Sequence, residues 1–125
     1  MLSPSIASPT KVLIVAQDDD TANEAARLVS AGGSEVVRPR DDESAAHALV
    51  RLKPSVAFIE SGCREVTNER FRNLANALGV GVVVFGAEHS VLNDLAAEVD
   101  LPIVGLHEPM PVIRSVIASV APSAR

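Results

Sequence analysis

Residues 12–25 read VLIVAQDDDTANEA: four apolar residues, one small and one neutral polar residue, three aspartates, and then a run with helical spacing. The apolar part shows no alternation, as expected of a strand covered on both faces. Beyond it, Ala25, Leu28 and Val29 fall on one stripe of a helix over residues 21–31, and Gly32-Gly33 supplies a left-handed stop. A buried strand running into a helix is the opening of a βα unit. The acidic residues at its turn raise the question of whether the site there is catalytic.

The same unit recurs downstream. The first strand covers residues 11–16 and the second residues 35–38; a helix over 42–52 sets Ala45, Ala46, Leu49 and Val50 on one face, opened by acidic residues that suit the helix dipole. Pro54 ends that unit, and VAFIE, residues 56–60, is a third strand. Residues 68–78 carry Phe71, Leu74, Ala75 and Leu78 at helical spacing, stopped by Gly79. A fourth strand spans 80–85, a helix capped by Ser90 spans 90–98, and a fifth strand spans 103–106. Pro111 suits the first turn of a last helix whose Val112, Ile113, Val116, Ile117 and Val120 form a wide apolar stripe.

Five strands alternating with helices predict an α/β fold, a doubly wound parallel (βα)5 sheet. The first, third and fourth strands are wholly or nearly apolar and belong in its centre. The second runs into Arg38-Pro39 and the fifth is short and flanked by proline, features of sheet edges. The order is then 2-1-3-4-5, the flavodoxin-like arrangement, with any site at the carboxyl ends of the central strands.

The 125 residues fit one domain over 11–121, with the Ser/Pro-rich residues 1–10 and the tail 122–125 expected to be disordered. With aromatics at 2% and hydrophobics at 47%, the core must be built from Val, Leu, Ile and Ala. A net charge of -5 argues against direct binding to nucleic acid, whose phosphates need a basic surface. No apolar run approaches the roughly 20 residues that cross a bilayer, and the opening MLSPSIASPT does not read as a signal peptide. One cysteine excludes an intramolecular disulfide and suits a reducing cytoplasm.

Several stretches carry a resemblance to a known family. KVLIV at the first strand, LVSAGGSEVV across the first helix to the second strand, LKPSVAFIE at the third strand and HEP in the last βα loop resemble the receiver domains of two-component response regulators. The resemblance covers residues 11–120. It implies a carboxylate pair for Mg²⁺ after the first strand, a phosphorylatable aspartate ending the third, a Ser or Thr ending the fourth and a Lys-Pro ending the fifth. Mg²⁺ and the lysine neutralise the transferring phosphoryl group, and the hydroxyl reads out its arrival.

At those positions this chain holds Ala16 and Gln17, Glu60, Gly86 and Glu108. Asp18 or Asp19 could stand in for the acidic pair only if the loop curled back. Two residues along a strand span about 6–7 Å, and Mg²⁺ holds its ligands at about 2.0–2.1 Å. The favoured alternative leaves the three aspartates in solvent, with Asp20 or Thr21 capping the next helix. The glutamate at 60 is one methylene longer than aspartate, and a displacement of about 1 Å costs on the order of 10²-fold in rate. Glu60 could also mimic a phosphorylated aspartate. Glu60 and Glu108 together would repel, or would share a cation with Asp18 or Asp19. The aromatic that commonly precedes the lysine is replaced by Gly105. The resemblance therefore narrows to the pseudo-receiver subgroup: no enzyme, no cofactor and no metal, with signalling by phosphorylation-independent contact with a protein partner or output domain. The alternatives are residual phosphate acceptance with Mg²⁺, and a regulatory module that takes a small ligand in the vacated pocket.

Other candidates carry less. Gly32-Gly33 follows a helix, and neither GxGxxG nor GxxxxGK[ST] occurs. Cys63 stands beside Arg64, a cation of the kind that lowers thiol pKa values, yet a lone loop thiol is by default chemically unremarkable. His47, His89 and His107 form no ligand pair, and Ser90 has no nucleophile-elbow context. In receivers, the face made by the fourth helix, the fifth strand and the last helix commonly mediates dimerisation or output contact; here Val91, Leu95, Gly105, Val112 and Val116 lie on it.

Overall fold

In a computed structural model of the chain, residues 10–66, 68–86, 102–105 and 110–120 are described. The apolar runs form the central strands: β1 (Lys11–Val15), β3 (Val56–Glu60) and β4 (Gly81–Gly86). The outer strands are β2 (Glu35–Val37) and β5 (Ile103–Gly105), three residues each. All neighbours pair in parallel in the order β2-β1-β3-β4-β5. The arrangement is the flavodoxin-like one that the apolar runs and the edge residues predict. Strand β2 stops at Val37, just before Arg38-Pro39, because proline has no amide to offer a ladder.

Successive strand residues point to opposite faces, so each central strand feeds two cores. On one face Leu13, Ala57, Ile59 and Val84 meet α2 (Ala45–Leu52) and α3 (Glu69–Ala77), through Ala48, Leu49, Phe71 and Ala75. On the other, Ile14, Phe58, Val83 and Phe85 meet α1 (Asp19–Ala31) and the last helix (Met110–Val120), through Ala25, Val29, Ile113 and Ile117. Phe58 and Phe85 stack with ring centroids 4.6 Å apart and planes 10° apart. Such a pair adds about 0.5–1.5 kcal/mol beyond its buried area.

The helix ends follow local chemistry. Ser44 and Asn68 cap α2 and α3, their side chains accepting the amides of His47 and Phe71. Gly33 and Gly79 adopt φ of 95° and 74° just past α1 and α3, a region that side chains disfavour. Helix α2 closes on Lys53 in the left-handed region, with Pro54 next.

Two helix faces differ from their predicted stripes. In α2 the buried residues are Ala45, Ala48 and Leu49, while Val50 is 49% exposed. With the helix starting at Ala45, the inward positions are one, four and five, which turns Val50 out. In α3, Leu78 is 42% exposed because it is the C-cap residue, beyond the last helical turn. The predicted helix over 90–98 and the terminal segments 1–9 and 122–125 lie outside the described residues. Thr10, assigned to the first of those segments, is described, and its carbonyl accepts the Glu35 amide at 2.8 Å.

Candidate functional site

Because the sheet is parallel, its carboxyl ends lie along one edge, and most of the predicted site positions gather there. Ala16 and Gln17 are the first residues after β1; Glu60 ends β3; Gly86 ends β4 and pairs with Gly105 of β5. Glu108 lies outside the described residues. The backbone amide of Gln17 donates to Glu60 Oε1 at 2.7 Å, so the ends of β1 and β3 are joined directly. The Gln17 side chain lies against Gly62, where an added Cβ would stand 2.6 Å from Gln17 Oε1.

The aspartates that follow are committed to the helix. Asp18, still extended at φ -133° and ψ 161°, is the N-cap of α1, correcting the expectation of Asp20 or Thr21. Its carboxylate accepts the Thr21 amide at 2.8 Å and the Thr21 hydroxyl at 3.2 Å, and these bonds hold its pKa below the usual value. Asp19 and Asp20 form the first turn, where negative charge suits the dipole. Asp19 sits 3.4 Å from Arg38, with its side chain 93% exposed. Among the described residues, no three His, Cys, Asp or Glu side chains stand close enough to hold a metal ion together.

Arg64 does not lower the pKa of Cys63, which agrees with reading that residue as an unreactive thiol. Burial, with smaller contributions from the Glu65 and Glu60 carboxylates, pushes its thiol up to about 12. The thiol packs into the core under the loop, with its sulfur 3.9 Å from the Val15 carbonyl. A thiol held protonated this way is a poor nucleophile.

A cluster that the sequence does not reveal organises the loop between β2 and α2. Arg51 donates Nε and Nη2 to the two carboxylate oxygens of Glu43 at 2.7 and 2.6 Å. The Arg40 amide adds a third bond at 3.0 Å, and His47 Nδ1 lies 2.6 Å from Oε2. The Glu43 side chain is only 3% exposed, and Arg51 above all holds its carboxyl well below the usual carboxylate range. The members are three to eight residues apart, spacings that carry no motif. His89, His107 and Ser90 lie outside the described residues.

Held open between the loops after β1, β2 and β3 is a cleft of about 550 Å³. Ala16 and Gln17 line it, together with Arg38 and Arg40 from the β2–α2 loop and Arg64 from the turn after β3. Sequence reasoning missed the three arginines as a group, because only the strand order brings the second and third loops to either side of β1.

Of the predicted interface positions, Val112 is 39% exposed, Val116 is half-buried and Gly105 is buried, while Ile113 and Ile117 fill the core. Val91 and Leu95 lie outside the described residues.

Solved structures share this architecture over most of their length. The signal receiver domain of a protein described as a LuxO repressor from Vibrio parahaemolyticus is 13% identical over 90% of this chain and 89% of that one, at a TM-score of 0.64. A LuxR-family DNA-binding response regulator from Staphylococcus aureus is 17% identical, over 89% and 98%, at 0.64. SdrG from Pseudomonas melonis Fr1, in its BeF3-activated conformation, is 16% identical, over 92% and 98%, at 0.60. No protein-family model and no curated protein matches the sequence. At these identities the likeness speaks to architecture, and five parallel strands in the order 2-1-3-4-5 give this chain the fold of the response regulator receiver domains.

Proposed function

We propose that the chain is a signalling module of receiver architecture, of the pseudo-receiver kind, that neither accepts nor transfers a phosphoryl group. It acts by contact with a protein partner or an output domain. The observation that carries this reading is the bond from the Gln17 amide to Glu60 Oε1. Where the resemblance implies a pair of acidic metal ligands, the chain offers Ala16, the amide of Gln17 and an exposed cap, Asp18. Where it implies an attacking aspartate, it offers a longer carboxylate with one oxygen already engaged by the backbone.

The donors present do not fit Mg²⁺. Six near-ideal oxygen positions at about 2.0–2.1 Å are needed, yet Asp18 is occupied by Thr21 and Asp19 leans towards Arg38. Gly86 has no hydroxyl with which to sense a phosphate, and Glu108 replaces the expected ammonium by an anion. No catalytic step is assigned to these residues.

The contact face proposed is that of the fourth predicted helix, β5 and the last helix, with Val112 as its exposed large apolar member among the described residues. A second copy of the chain could occupy it as well as an output domain. No helix among the described residues is long and apolar enough to cross a membrane; a cytoplasmic site of action is part of the proposal. The test is incubation with Mg²⁺ and acetyl phosphate followed by intact mass. The expected spectrum shows the parent mass alone, and a gain of one phosphate overturns the reading.

A further inference from the structure

The contact-based reading leaves the cleft above β2, β1 and β3 without a role. The cleft lies at the carboxyl ends of parallel strands and includes the switch point between β1 and β3, where open α/β sheets place their ligands. Its volume of about 550 Å³ falls within the range of about 300–1,000 Å³ typical of small-molecule sites.

Its charges are arranged unusually for a chain of net charge -5. Arg38, Arg40 and Arg64 line it from the two loops flanking β1, and the residues that follow β1 into it, Ala16 and Gln17, carry no carboxylate. Two of the bordering acids are turned to other work. Glu43 gives both oxygens to Arg51, and Asp19, mostly in solvent, lies against Arg38, which also donates to Asn23 and is therefore given no part in holding the ligand. Asp41 and Glu65 remain at the border, so recognition must come from direct charge-assisted bonds and not from bulk potential. Guanidinium forks match the paired oxygens of a phosphate, and charge-assisted bonds of this kind are about twice as strong as neutral ones. The Glu43 clamp supplies rigidity by fixing the backbone of Arg40 itself.

We propose that this cleft reversibly binds a small molecule bearing a phosphate, up to the size of a nucleotide, with the phosphate held by Arg40 and Arg64. The proposal rests on the phosphorylation-independent reading, since it gives the vacated strand ends an effector in place of a phosphoryl group.

The experiment is titration calorimetry in EDTA with inorganic phosphate, pyrophosphate, AMP and ADP, with adenosine as the unphosphorylated counterpart. At least one phosphate probe is expected to bind and adenosine to bind far more weakly. Arg40→Ala and Arg64→Ala should each weaken binding by about tenfold or more, as expected for loss of a bond to a charged group. Arg27→Ala, on the exposed flank of α1, should bind like the parent, and the unliganded melting temperature of Arg40→Ala should match the parent's. The proposal is overturned if no phosphate probe binds at millimolar concentration, if adenosine binds as well as AMP, or if both arginine variants bind like the parent. Binding of a phosphorylated peptide but of none of the small phosphates also overturns it, in favour of a macromolecular ligand. EDTA keeps this test separate from the acetyl phosphate experiment: covalent phosphate there defeats the contact-based reading, while absence of reversible binding here defeats only the ligand.

Discussion

At the residue scale, two side chains near the strand ends have chemistry that their neighbours in sequence do not disclose. Cys63 sits beside Arg64, yet its sulfur points under the loop into the core, where desolvation outweighs any nearby cation. With the thiol held at about 12, native protein at pH near 8 should resist iodoacetamide, while unfolded protein should label at the ordinary rate of a thiol with pKa about 8.5. Rapid labelling of the native chain, read by intact mass, would contradict the burial. The positions Ala16, Gln17, Glu60 and Gly86 were singled out through the resemblance to receivers, which aligns them with the strand ends. The bond between the Gln17 amide and Glu60 was not legible, since it depends on how two loops approach across neighbouring strands.

At the element scale, helix starts show what local signals decide and what they leave open. Three successive aspartates each have cap chemistry, and the choice of Asp18 rests on where the extended backbone stops. The β2–α2 loop has no such signal, and its conformation is held by Glu43. Because the folded-state pKa of Glu43 lies below the ordinary 4.5, its ionised form stabilises the fold fully above that value. The contribution is lost as pH falls from there towards the lowered folded value. The parent should therefore melt higher than Glu43→Gln at neutral pH, with the difference shrinking as pH is lowered from about 5 to about 2. Thermal melts of the two proteins across that range check it. A constant difference would mean that the clamp acts through shape and not through charge.

At the scale of the whole molecule, the sheet order followed from composition because buried strands must be apolar on both faces and edges must tolerate proline and charge. The apolar stripe of the last helix announced its packing on the sheet, but the close approach of its end to the β4 backbone was not legible. A Cβ on Gly81 would stand 2.8 Å from both the carbonyl carbon and the Cβ of Val120. Gly81→Ala must push the helix end from β4 and should cost about 1–3 kcal/mol in denaturant melts. Gly62→Ala meets only the movable end of Gln17 and should stay within about 0.5 kcal/mol of the parent.

The two outermost strands, β2 and β5, are three residues long. So little unpaired backbone gives a stray chain almost nothing to zip onto, and proline bounds each of them on one side. Growth of the protein into ribbons or fibrils by addition to these two strands is thereby discouraged.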